Sequence, residues 1–199
     1  MATPPSAVRF GEVVKASVDG LIGQCHRLYD APALGTLVRA GDDVYAAVSG
    51  VTTSSLDPTR RVIARGAEAA SESEIYAEHP QLERLLRTDV TLQVLGYRES
   101  GEARQYLPPL PPRIHAFLYV CPPDEVRWFM ERLEFVPLLV HGGFPAGDDV
   151  LAGVLRQAAA SFDVPGDFLR RAAKAVAVQL STDTARLSAV LRRLPLEGR

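Results

Sequence analysis

The period of the hydrophobic pattern changes once along the chain, near Cys121, and this change constrains the fold more than any other feature. Before it, Val8 to Lys15, Leu21 to Tyr29, Gly35 to Val38, Val44 to Val51, Val90 to Tyr97 and Ile114 to Val120 are short runs rich in β-branched and aromatic residues. Several alternate with period two. Val44, Ala46 and Val48 face one way and Tyr45, Ala47 and Ser49 the other, and Val90, Leu92 and Val94 alternate with Thr91, Gln93 and Leu95. Turn residues separate the runs at Asp19-Gly20, Asp30-Ala31-Pro32, Gly41-Asp42-Asp43 and Ser100-Gly101. Six short strands left as an open sheet would expose two long edges, so closure into a small antiparallel barrel is expected.

One stretch interrupts the strands. From Thr52 to Arg61 the chain reads as a polar loop, and a helical excursion is expected near 71–88. Ser71-Glu72-Ser73-Glu74 fits a capping box, and Pro80 suits the first position of a second short helix burying Leu82, Leu85 and Leu86. After Cys121 the period becomes 3.6. Pro122 and Pro123 open a helix with Asp124 and Glu125 in its first turn and Val126, Phe129, Met130 and Leu133 as its stripe. Beyond Gly142-Gly143, three more stripes follow: Leu151 to Phe162, Phe168 to Leu180, and Leu187 to Leu194. Val164-Pro165-Gly166 and Ser181-Thr182-Asp183 are breaks short enough for antiparallel neighbours. The expected fold is therefore α+β. Residues 7–121 form a six-stranded antiparallel β-barrel with a helical insertion, and 122–199 form an all-α part.

Composition excludes several classes. With 22 basic against 24 acidic residues the net charge is only −2, unlike an acidic or basic tail protein. The arginine bias, with lysine only at 15 and 174, reads as base composition. The N-terminus lacks the charge and apolar run of a signal peptide, so a cytoplasmic protein is expected. Cys25 and Cys121 are too few and too far apart for a disulfide framework.

Chemical motifs are scarce. No Gly-Lys dipeptide exists to close a P-loop, and no Gly-x-Gly-x-x-Gly joins a strand to a helix. Cys25 and His26 point to opposite faces of a strand, and the histidines at 26, 79, 115 and 141 form no i, i+4 pair. The serines at 54 and 55 lie outside any Gly-x-Ser-x-Gly elbow. No catalytic residue, metal or cofactor is expected.

Two features could serve contacts. Arg60, Arg61 and Arg65 in the rim loop, and Arg170, Arg171 and Lys174 on one helix, read either as phosphate contacts or as solvated faces. In Leu107-Pro108-Pro109-Leu110-Pro111-Pro112-Arg113, four prolines in five residues impose an extended segment without hydrogen bonds leading into the last strand. Such a segment is a rigid connector or a ridge for a partner.

Gly11-Glu12-Val13-Val14, Ala31-Pro32-Ala33-Leu34-Gly35-Thr36-Leu37-Val38 and Val48-Ser49-Gly50-Val51 resemble the HAS-barrel. That domain is the N-terminal β-barrel of HerA-type DNA translocases and of the rotary ATP synthase catalytic ring. Pro111-Pro112-Arg113-Ile114-His115-Ala116-Phe117-Leu118-Tyr119-Val120, with Pro123-Asp124-Glu125-Val126 after it, looks like the barrel's closing stretch. The resemblance spans roughly 7–128 and departs from the family where a P-loop motor would follow, since helices stand there. It implies a barrel without its motor: a non-catalytic adaptor or assembly module for a HerA-type hexameric ATPase or its NurA-type nuclease partner in DNA processing. The contact elements would be the barrel rim and the proline strap, with Arg60, Arg61, Arg65, Pro108, Pro109, Pro111, Pro112 and Arg113, and one face of the terminal helices, where an exposed apolar patch would support the reading. The alternatives are a barrel that binds single-stranded nucleic acid and a small-molecule enzyme without a recognisable motif.

Overall fold

The structure is a computed structural model and describes residues 7–59 and 61–195. Its strands are β1 (Val8–Ala16), β2 (Gly20–Cys25), β3 (Leu37–Ala40), β4 (Val44–Ser55), β5 (Leu86–Glu99), β6 (Glu102–Arg104) and β7 (Phe117–Val120). Its helices are α1 (Glu72–Glu78), α2 (Leu82–Leu85), α3 (Pro123–Phe129), α4 (Val136–His141), α5 (Gly147–Ala159), α6 (Pro165–Gln179) and α7 (Thr184–Leu191). The fold is α+β. All strands join one antiparallel sheet in the order β2-β1-β7-β3-β4-β5-β6. The sheet curls so far that β2 also pairs with β5, from Gly20 opposite Gln93 to Gln24 opposite Asp89. Register shifts in β1 at Arg9/Gly11 and Val13/Lys15, and in β4 at Tyr45/Ala46 and Val48/Gly50, supply the local bends that this curling needs.

Alternation along the strands sorts side chains into two cores. Inside the curl lie Phe10, Val13, Val38, Val48, Leu92 and Leu118, among others. On the opposite face Leu37, Tyr45, Ala47 and Leu95 pack against Phe129, Phe135, Leu151, Leu155 and their neighbours from the helices. The helical part therefore covers the outer face of β3, β4 and β5. Tyr45 stacks on Phe129 with ring centroids 4.9 Å apart, and its hydroxyl donates to Glu125 Oε1 at 2.6 Å. Arg39 and Arg98 donate to the same oxygen at 2.9 and 3.1 Å. Close approach also requires glycine. Gly35 has φ of +84°, and a Cβ there would lie 2.2 Å from the backbone of Gly153 in α5.

Several boundaries differ from expectation. The second strand stops at Cys25 because the following loop leaves the ladder: Tyr29 adopts φ of 63° and its N–H donates to Thr88 Oγ1 at 2.9 Å. β3 starts at Leu37, and Gly35 is a loop residue. β4 and β5 run past the rest of the sheet to Ser55 opposite Leu86, so the 56–85 excursion sits at the tip of a projecting two-stranded ladder. At this tip Leu82 and Leu86 are only half-buried and Leu85 is exposed, which corrects the expectation that the second helix buries them. Ser71 does cap α1 through the Glu74 N–H, but the Glu74 carboxylate accepts from Ala70 N at 2.6 Å instead of returning to Ser71. Pro80 follows the α1 C-cap His79 and lies ahead of Gln81, the α2 N-cap, so it ends one helix and does not open the next.

The closing strand begins at Phe117, three residues later than expected. Ala116 N bonds back to Arg113 O, and His115 has φ of 67°. A seventh strand, β6, returns from the Ser100-Gly101 turn. In the helical part, α3 ends at Phe129 and a separate α4 follows, because buried Gln105 takes over the exposed backbone groups. Its Nε2 donates to the carbonyls of Phe129 and Arg132, and its Oε1 accepts from Glu134 N at 2.7 Å and Phe135 N at 3.3 Å.

Candidate functional site

Of the residues singled out in the sequence, Arg60 lies outside the described residues. Arg61 and Arg65 are exposed at the tip of the β4–β5 ladder, where they border a hollow of about 410 Å³ floored by Leu56, Val62, Ile63, Leu82, Leu85 and Leu86. The proline strap lies at the opposite end of that ladder, beside the Val44–Tyr97 pair. It lines a separate hollow of about 570 Å³ together with the Gly41-Asp42-Asp43 turn. The arginine and proline groups therefore do not form one site.

Within the strap the prolines differ. Pro108 is buried, Pro112 is half-buried, and Pro109, Pro111 and Arg113 are exposed. The segment joins no strand ladder, and the chain bends at Pro109 and Leu110, so it is not straight. Arg170, Arg171 and Lys174 are exposed on α6; Arg170 pairs with Asp167, and Arg171 lies over the Phe168 ring at 5.9 Å.

A group that the sequence did not single out lies on the outer face of β1. Glu12 accepts from His115 Nδ1 at 3.0 Å on one carboxylate oxygen and from His26 Nε2 at 3.2 Å on the other. The His115 contact, and then the His26 contact, hold the Glu12 carboxyl below its ordinary 4.5. Beside it Arg9 lies 4.5 Å over the Phe117 ring, and Arg39 lies 4.9 Å over Tyr119. Among the described residues no three His, Cys, Asp or Glu side chains converge as a metal ion would require.

Both thiols are free and buried. Burial pushes Cys25 up to about 11, with Asp30 and Asp89 adding to the effect, and burial likewise raises Cys121. No helix among the described residues is long and apolar enough to cross a membrane.

Exposed large apolar side chains are unevenly distributed. Among the described residues all but Val164 and Val178 precede residue 120, and they gather at the ladder tip, the strap and the β1–β7 face. The helical part spends its apolar stripes on the sheet and on itself, so among the described residues the terminal helices do not carry the exposed apolar patch that would have made them a contact face. No family model matches the chain, and a search of the curated proteins finds no match.

Proposed function

We propose that the protein is a non-catalytic adaptor or assembly module that contacts a HerA-type ATPase or its NurA-type nuclease partner in DNA processing. Two observations support this reading. Pairing of β1, β2, β5, β4, β3 and β7 in a circuit suits a small HAS-like barrel. The observation that carries the reading is the concentration of exposed apolar residues on the strand-built part, since monomeric soluble proteins seldom leave large apolar patches without a use. The contact elements are the ladder tip with Arg61 and Arg65 and the strap with Pro109, Pro111 and Arg113. Mixing the purified chain with the HerA-type ATPase and NurA-type nuclease of its host, followed by size-exclusion chromatography, tests the proposal. Co-elution is the expected result and separate elution of all three overturns it. The chain alone should turn over no ATP, and hydrolysis that survives repurification defeats the adaptor reading.

A second reading has its own support. The Arg9–Phe117 and Arg39–Tyr119 pairs put guanidinium groups and aromatic rings on one sheet face, the combination that holds single-stranded nucleic acid. This face, and not the rim arginines, is where a strand would lie. A gel shift with single-stranded DNA at low salt, lost in Phe117→Ala, would favour it; no shift at low salt removes it.

A further inference from the structure

We infer that the depression at the tip of the β4–β5 ladder seats a short segment of a partner protein whose carboxylates are interspersed with apolar side chains. This inference rests on the adaptor reading and specifies the chemistry of the partner. The 410 Å³ hollow has a second of about 680 Å³ beside it, and Val62, Ile63, Arg65, Leu82 and Leu86 line both, so the same aliphatic side chains wall the two parts of this trough. Two hollows side by side on one set of aliphatic side chains suit a stretch of polypeptide that reaches both.

The trough is apolar without being buried. Val62 and Ile63 are 62% and 63% exposed and Leu85 is 43% exposed. Leaving adjacent aliphatic side chains in water is unfavourable, and burial against a partner removes that cost. Charge then selects the partner. Neither Arg61 nor Arg65 has an ion-pair or hydrogen-bond partner among the described residues, whereas Asp57, the nearest acid on the wall, already accepts from Thr59 N at 2.9 Å and Thr59 Oγ1 at 2.6 Å. The other acid, Glu72, stands in the first turn of α1, where the free amides favour its charge. Two unpaired guanidinium groups beside an aliphatic floor call for carboxylates, which arginine binds through paired N–H donors.

The same wall argues against a nucleic-acid strand here. Its two aromatic residues, Tyr29 and Tyr76, are joined hydroxyl to hydroxyl at 2.5 Å and meet edge to face, and the remaining lining supplies no further ring on which successive bases could stack.

The test selects random short peptides displayed on phage against the immobilised full chain and measures the strongest binders by fluorescence anisotropy. Acidic peptides rich in leucine, isoleucine or phenylalanine should dominate. Their affinity should fall at least about tenfold in the Arg61→Glu/Arg65→Glu variant and in Ile63→Asp, and an unchanged thermal melt in both variants shows that the fold is retained. Because all three positions are exposed, a melt that does drop also counts against the proposal. Binders without acidic enrichment, affinities indifferent to the arginine reversals, or no binders at all would overturn it. Co-elution of the same double variant with the motor or nuclease separates the two ideas. If it co-elutes like the wild type, the adaptor reading stands and the trough proposal falls; if acidic peptides bind the trough but no motor or nuclease co-elutes, the reverse holds.

Discussion

Glu12 shows how a single side chain can link three parts of the chain. It sits on β1, His26 follows β2 and His115 lies in the turn before β7, so its two hydrogen bonds tie both neighbouring segments to the central strand. A carboxyl held below its ordinary value contributes stability that is present above that value and lost as pH falls through the lowered one. Stability should therefore decline as pH drops below about 4.5, and in His115→Gln, where the Glu12 carboxyl titrates closer to its ordinary value, that decline should be smaller. Carboxyl-detected NMR titration of Glu12 in both proteins measures this, and identical midpoints would refute it. The thiols give a second check at this scale. With Cys25 raised to about 11 and Cys121 buried, neither should react with a thiol reagent in the native protein at pH 8, and both should react in denaturant. Gly35 gives a third. Gly35→Ala places a Cβ in the left-handed region and against Gly153, so it should cost roughly 2–4 kcal/mol in denaturant unfolding.

Among the elements, the junction between strap and helices depends on Gln105. One amide satisfies two carbonyls at the end of α3 and two amides at the approach to α4, so the chain can break a helix inside a core without stranding its polar groups. Gln105→Ala should destabilise by about 3 kcal/mol and should raise hydrogen exchange first at Glu134 and Phe135. The sequence pattern showed a continuous apolar stripe from Val126 to Leu133 and no reason to stop at Phe129. The reason lies 24 residues upstream in a glutamine that no periodicity flags. By contrast, the alternation of 44–49 and 90–95 was legible, and both faces proved apolar for a local reason. Ala46, Val48 and Val94 fill the inside of the curl, and Tyr45, Ala47 and Leu95 meet the helices.

Across the whole molecule, the sheet and the helices share the core built on Tyr45, Phe129 and Leu151. Thermal unfolding should therefore be one cooperative transition seen equally by far-ultraviolet circular dichroism and by tryptophan fluorescence, since Trp128 lies at this seam against Arg98 at 4.6 Å. Two separate transitions would show that the halves are independent. A fragment of residues 7–121 should bind a hydrophobic dye, because Leu37, Tyr45, Ala47 and Leu95 lose their cover.

The sequence by itself determined the class of the fold, the place where strands give way to helices, the cap at Ser71 and the shortage of catalytic motifs. These follow from interactions between residues a few positions apart, whose spacing is visible in one dimension. Only the tertiary structure decided that the helices lie on the outer face of β3, β4 and β5, that Val62 and Ile63 stand exposed beside Arg61 and Arg65, and that Glu12 meets His115. These pairings join residues more than about 100 positions apart, as Glu12 and His115 or Gly35 and Gly153 are, and they depend on how far a sheet curls and where a ladder projects, which no local pattern records.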